Sequence, residues 1–239
     1  MSYPKIEYPL ITVTIPSTKK PETFRWLVGR EEKILLIAKE ADTNADKNAA
    51  IRQVVNNCAV SPTFNIDKLS TFDIEYCFLK IRASSVSNIV EVAFKDQQDN
   101  ETYPFEIDLN KIEVKFPEGV SDFIKINDEY GLKLKYPSSA LYNDPIYYES
   151  TDIIEIASKC IDKLFQGDSI LDLSDSTEEE AKEFLLSLDQ NTLAKVRTFF
   201  YNLPVLFWEE KYTNKNGVVK PVYLAGLTDF FQFWHPIIL

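Results

Sequence analysis

The sequence predicts an α+β fold, and three features point there. β-branched residues crowd into Leu10, Ile11, Thr12, Val13, Thr14 and Ile15, the composition of a strand. The middle of the chain turns to short alternating segments, such as Phe105, Ile107 and Leu109 set against Glu106 and Asp108. The last third returns to helical spacing, with Ala181, Phe184, Leu185 and Leu188 at i, i+3, i+4 and i+7. The expected organisation is an N-terminal β-hairpin with helices over 1–86, a central antiparallel β-module over 87–150, and a helical C-terminal region with a terminal hairpin over 151–239.

Residues 10–15 and Phe24–Val28 form the first hairpin, with Lys19–Glu22 as its turn. A helix follows from Arg30, whose early acids Glu31 and Glu32 suit the positive end of the helix dipole. A second helix spans about 45–58, with Ile51, Val54 and Val55 on one face. A third spans about 71–85, with Ser70 as N-cap and Asp73 at capping-box spacing. That helix is apolar on nearly every side, which means either a central position or a partner covering it.

Strands are expected at 89–94, 103–109, 112–116, 123–126 and 132–136. Gly131 sits in a turn and supplies a backbone free to take positive φ. A helix is expected over about 152–164. Ser176 and Glu179 are the capping box of the next helix, and another runs over about 191–201. Asn216–Gly217 marks a final hairpin between 205–212 and 218–224, ahead of a short helix near Thr228.

The net charge is −11, from 26 basic and 37 acidic residues. An acidic chain repels phosphate backbones, so nucleic acid is not an expected partner. The longest apolar runs, such as Ile34–Ala38, fall far short of a membrane span, and the first residues lack a secretory apolar core. The expectation is a soluble, intracellular protein without a membrane partner. Cys58, Cys77 and Cys160 are odd in number and widely spaced, which reads as buried free thiols rather than a disulfide framework.

Six glycines are too scattered for a dinucleotide fingerprint, a Walker loop or a nucleophile elbow. His235 is the sole histidine, so a Ser/His or Cys/His pair would have to use it; between Trp234 and Pro236 it reads as a packing residue. There is no Cys-x-x-Cys and no His pair for a metal. Asp172, Asp175 and Glu178–Glu180 cluster at a helix start, where capping explains them. No catalytic, cofactor-binding or metal-binding residue is assigned, and no cofactor is expected. A two-carboxylate or metal-dependent hydrolase stands as a distant alternative with no pair singled out.

Aromatic residues make up 13% of the chain, sixteen Phe among them. They concentrate at the end of the sequence, in Phe230, Phe231, Phe233 and Trp234, followed by Ile237 and Leu239. Such an end either packs on its own domain or docks into a partner, since aromatic anchors favour interface centres. Phe72, Tyr76 and Arg82 on the third helix are further partner-binding candidates, against the reading that the aromatics are core and Arg82 an ion-pair residue.

Several segments carry a resemblance. They are Phe24-Arg25 with the run from Arg30 to Glu40, Val54-Val-Asn-Asn-Cys58, and above all Phe72-Asp-Ile-Glu-Tyr-Cys-Phe-Leu-Lys-Ile-Arg82. Phe199-Phe-Tyr-Asn-Leu-Pro204 and Leu224-Ala-Gly-Leu-Thr-Asp-Phe-Phe231 add to it near the other end. Together they resemble the baseplate hub proteins of T-even-type contractile-tailed bacteriophages. The resemblance implies a non-catalytic protein that binds other tail hub proteins, is oligomeric within the assembly, forms in the host cytoplasm and resides in the virion baseplate. It leaves open an assembly chaperone absent from the mature particle. Some relatives are expected to carry a zinc-ribbon-like cysteine pair in the terminal hairpin; Tyr212-Thr-Asn-Lys-Asn-Gly217 stands there in this chain, so no metal carries over.

Overall fold

The β-branched run becomes strand β1, Leu10–Thr14, paired antiparallel with β2, Pro21–Arg25, so that Ile11 faces Phe24 across the ladder. The structure is a computed structural model that describes residues 3, 6–40, 43–141 and 152–232, and the side chains of all of these except 44 and 230–232. Helices α1 (Gly29–Lys39), α2 (Asn44–Cys58) and α3 (Thr71–Ser85) follow. Thr43 caps α2 by accepting from the Asp46 N–H.

Strands β3 (Ile89–Lys95) and β4 (Thr102–Asp108) pair as a hairpin. A 3₁₀ turn at Leu109–Lys111 leads into β5, Glu113–Lys115. Then come β6 (Phe123–Lys125), β7 (Tyr130–Leu134), α4 (Ile153–Ser158), β8 (Ile161–Gln166) and β9 (Ser169–Leu171). Helices α5 (Glu178–Leu186) and α6 (Gln190–Tyr201), strands β10 (Val205–Thr213) and β11 (Val219–Ala225), and helix α7 (Gly226–Gln232) complete the described chain. The class is α+β with every strand pair antiparallel. The strands of the middle region are shared among three sheets: β3-β4, β11-β10-β5 and β6-β7-β8-β9.

The chain divides into two compact units. Unit 1 comprises Met1–Ile66, Phe72–Lys115 and Val205–Leu239; unit 2 comprises Asp67–Thr71 and Phe116–Pro204. The core of unit 2 gathers Ile124, Leu132, Leu134, Ile154, Leu185, Val196 and Phe199, so sheet β6–β9 and helices α4 to α6 share one apolar interior. In unit 1, Ile15, Phe24, Val54, Val55, Phe78, Ile107 and Leu206 are among the most deeply buried.

Three local readings are corrected. The helix expected over 152–164 stops at Ser158, and Ile161–Gln166 is a strand that turns back through Gly167 into β9. Gly167 has φ 55, a left-handed conformation that ends the segment as a hairpin rather than a helix. Gly131 is not a positive-φ turn residue but a strand residue: a Cβ there would lie 2.6 Å from the Phe123 ring, so the ring needs the bare backbone. The capping box of α5 is one residue later than expected. Thr177 Oγ1 accepts from the Glu180 N–H at 3.2 Å, and the Glu180 carboxylate accepts from the Thr177 N–H at 2.8 Å. Thr177→Ala should therefore cost unit 2 about 1 kcal/mol in urea unfolding, while Ser176→Ala should be close to neutral.

Candidate interaction surfaces

A buried ion pair ties β2, α1 and α2 of unit 1 together. Glu31 is fully buried and receives Arg25 through both guanidinium nitrogens, at 2.8 and 3.0 Å, and the Val28 N–H at 3.1 Å. Arg25 also donates to the Trp26 and Asn57 carbonyls. Burial raises the Glu31 carboxyl, but the hydrogen bonds from Arg25 and Val28 outweigh it and hold the pKa below the ordinary value. Beside the pair, Phe24 is buried edge-to-face on Phe64, and Val60 N–H donates to the Thr23 carbonyl.

Helix α3 is the polar anchor of the same unit as well as an apolar one. Asp73, the expected capping acid, accepts from the Ser17 N–H at 2.9 Å and the Ser17 hydroxyl at 2.7 Å, linking α3 to the first hairpin turn. Ser85 Oγ accepts from the Leu27 N–H. Lys80 donates to the carbonyls of Leu109, Asn110 and Ile112, closing the C-terminal end of the 3₁₀ turn. The Tyr76 hydroxyl lies 3.2 Å from Glu113, and Lys80 sits over the Tyr76 ring at 4.8 Å. Burial raises the Glu75 carboxyl to about 7, against a lowering hydrogen bond from the Leu227 N–H at the start of α7.

These contacts locate the α3 candidates. Phe72 is 5% exposed and Arg82 4%, with Arg82 donating to the Ser87 carbonyl. Burial leaves both little surface to offer, while Tyr76 keeps part of its ring accessible. The side chains of Phe230 and Phe231 and the whole of Phe233, Trp234, Ile237 and Leu239 lie outside the described residues, as does His235.

The tip of the last hairpin is held by carboxylates of the β3–β4 turn. Asp96 accepts from Lys220 at 2.6 and 2.8 Å, from the Tyr212 hydroxyl at 3.0 Å and from the Gln98 N–H. Lys220 foremost, then the Gln98 N–H, pulls the Asp96 carboxyl well below the usual carboxylate range. Asp99 accepts from the Tyr103 hydroxyl and the Lys215 N–H, and the Tyr103 and Tyr212 rings meet at 4.6 Å. Where a cysteine pair was expected in some relatives, this chain places a charge-assisted network. Among the described residues no three His, Cys, Asp or Glu gather in a way that could hold a metal ion.

Unit 2 carries a groove of about 930 Å³ between β8, β9 and α5. Leu164, Leu171, Leu173, Ala181 and Phe184 give it an apolar lining. The charges beside it are matched internally, with Lys159 on Glu178 at 3.2 Å and Lys182 on Glu155 at 2.7 Å. Cys58, Cys77 and Cys160 are buried free thiols, their pKa values raised by desolvation first of all, which leaves them poor nucleophiles.

The sequence reading passed over the exposed apolar side chains Leu36 and Ile37 on α1 and Leu186 on α5. Their signal was available: each adjoins a core residue, Leu35 or Leu185, so the apolar run is wider than one buried helix face.

Among the described residues, no helix is long and apolar enough to cross a membrane. No curated protein and no solved structure matches the chain. A family model described as T4 bacteriophage base plate protein matches residues 8–232, which takes in nearly all of both units. The chain therefore belongs to the T4 base plate protein family, as a structural protein of the phage tail baseplate that interacts with other baseplate proteins.

Proposed function

We infer that this baseplate protein is a non-enzymatic component of the hub, which binds other hub proteins while the tail assembles in the host cytoplasm and stays in the virion. The observation that carries the reading is the family match over residues 8–232, together with the hub-like motif Phe72–Arg82. The side-chain chemistry supports it. The carboxylates Asp96 and Glu31, both held below their ordinary pKa, are consumed by internal partners rather than directed into a cleft. Partner binding is assigned to Phe230, Phe231, Phe233, Trp234, Ile237 and Leu239, with Phe72, Tyr76 and Arg82 on α3, of which Tyr76 is the most accessible.

Two measurements test this. A protein inventory of purified particles should find the chain at a fixed, symmetric copy number; its presence only in tail intermediates would make it an assembly chaperone instead. Deleting residues 233–239 should leave far-UV dichroism and thermal unfolding unchanged while abolishing incorporation into tails. Normal incorporation of the truncated chain would remove the apolar end from the interface.

A further inference from the structure

Two helix faces of this chain complement each other. On α1, Arg30, Lys33 and Ile37 fall within an arc of about 60°, and all three are exposed. On α5, Glu179, Glu183 and Leu186 fall within a similar arc of about 60°, and they are exposed as well. Ile37 and Leu186 are each 66% exposed, and Leu36 flanks Ile37. The inward sides are committed elsewhere: Glu31 and Leu35 are buried in unit 1, and Leu185 is buried in unit 2. Lys33, Glu179 and Glu183 make no ion pair among the described residues, and Arg30 reaches Glu31 only at 4.0 Å.

Both faces run in the same order from N- to C-terminus: charge, charge, apolar. Arg30 and Ile37 are seven residues apart, as are Glu179 and Leu186. Laid parallel, Arg30 meets Glu179, Lys33 lies beside Glu183, and Ile37 packs on Leu186. Laid antiparallel, Lys33 would still meet Glu183, but Arg30 and Glu179 would each meet the apolar end of the other helix. Net charge also selects the surface. At −11, copies of this chain repel one another in general, so a second copy approaches most favourably where Arg30 and Lys33 make the surface basic.

We propose that the chain self-associates head to tail, with α1 of one copy packed parallel against α5 of a second copy. The contact joins unlike surfaces, so each added copy leaves one face of each kind open, and growth ends only if a ring closes. This goes beyond the hub reading and does not depend on it, because it is measured on the purified protein alone.

Sedimentation velocity of the full chain over a concentration series is the test, with far-UV dichroism as the folding control. The substituted side chains are exposed, so the variants should fold. The wild type should grow in mass with concentration. Arg30→Glu and Glu179→Arg, which meet only in the parallel arrangement, should each weaken association roughly tenfold. Their combination should recover wild-type association within roughly threefold. Ile37→Asp and Leu186→Asp should each leave a monomer. A wild type that stays monomeric throughout would overturn the proposal, as would oligomers that survive Ile37→Asp and Leu186→Asp, or a double charge swap that recovers nothing.

Discussion

Glu31→Gln is expected to lower the stability of unit 1 by about 2–3 kcal/mol. The carboxylate is fully buried and takes three charge-assisted or backbone hydrogen bonds. An amide of the same shape keeps one acceptor but leaves the Arg25 guanidinium facing a neutral group and a surplus donor. The loss should sit at or below the lower end of the range for broken buried pairs, because Arg25 is 20% exposed and retains some solvation. Tryptophan fluorescence in urea isolates the effect: Trp26 and Trp208 belong to unit 1, and unit 2 has no tryptophan. The double change Arg25→Met with Glu31→Leu should cost less than the two single changes added together, since no buried charge is left alone. The pH dependence has a definite sign. A carboxyl depressed in the folded state contributes stability above its ordinary pKa and loses it as pH falls through the folded value. The deficit of Glu31→Gln should therefore be full at neutral pH and shrink below about pH 4.

The same residues show what the sequence could disclose. Helix α3 was legible to its ends, because Ser70 and Ser85 bracket a dense apolar run. The last hairpin was legible because Asn216–Gly217 marks its turn, and Gly217 has φ 79. The strand β8 was not. Ile153 to Leu164 offers apolar residues at helical spacing, and the decision is made by Gly167 and by pairing with β7, a contact distant in sequence. Local spacing places Asp73 at the start of α3, but nothing in it announces that the carboxylate also answers Ser17, 56 residues away. Periodicity carries local structure; it does not carry which distant polar group will answer a buried one.

Motif residues that signalled the family turn out to be largely structural where they are described. Phe24, Arg25 and Glu31 knot the N-terminal elements, Val54, Val55 and Cys58 fill their interior, and Phe72, Asp73, Cys77, Phe78 and Arg82 are buried in or around α3. A family signal made of core residues specifies the scaffold, and the scaffold presents other residues outward. The exposed apolar positions Ile37, on the outer face of the Arg30–Glu40 segment, and Leu186, outside every one of these segments, are therefore where partner contact is to be sought within the described chain.

Unit 1 is expected to lose stability as the pH rises from 5 to 8, and Glu75→Gln should remove much of that loss. The Glu75 residue is partly exposed, but its carboxyl group is deeply enclosed, between α3 and the start of α7, near Gly226 and the Leu227 N–H. Burial lifts it to about 7, so the folded chain holds a proton that the unfolded chain, with an ordinary carboxyl near 4.5, has already released. Between these two values the folded state binds more protons, and stability must fall with rising pH. The full effect is present above pH 7 and nearly absent below 4.5. Over the interval from about pH 5 to 8 the linkage amounts to roughly 2–3 kcal/mol. Glutamine accepts the Leu227 N–H through its amide oxygen and carries no charge to desolvate. The stability of Glu75→Gln relative to wild type should accordingly climb by that amount across the interval, measured by urea unfolding followed through tryptophan fluorescence. Taking the difference between the two proteins cancels contributions that both share. A difference that stays flat from pH 5 to 8 would mean that the carboxyl is ionised at little cost in the folded protein, and that the base of α7 is open to water.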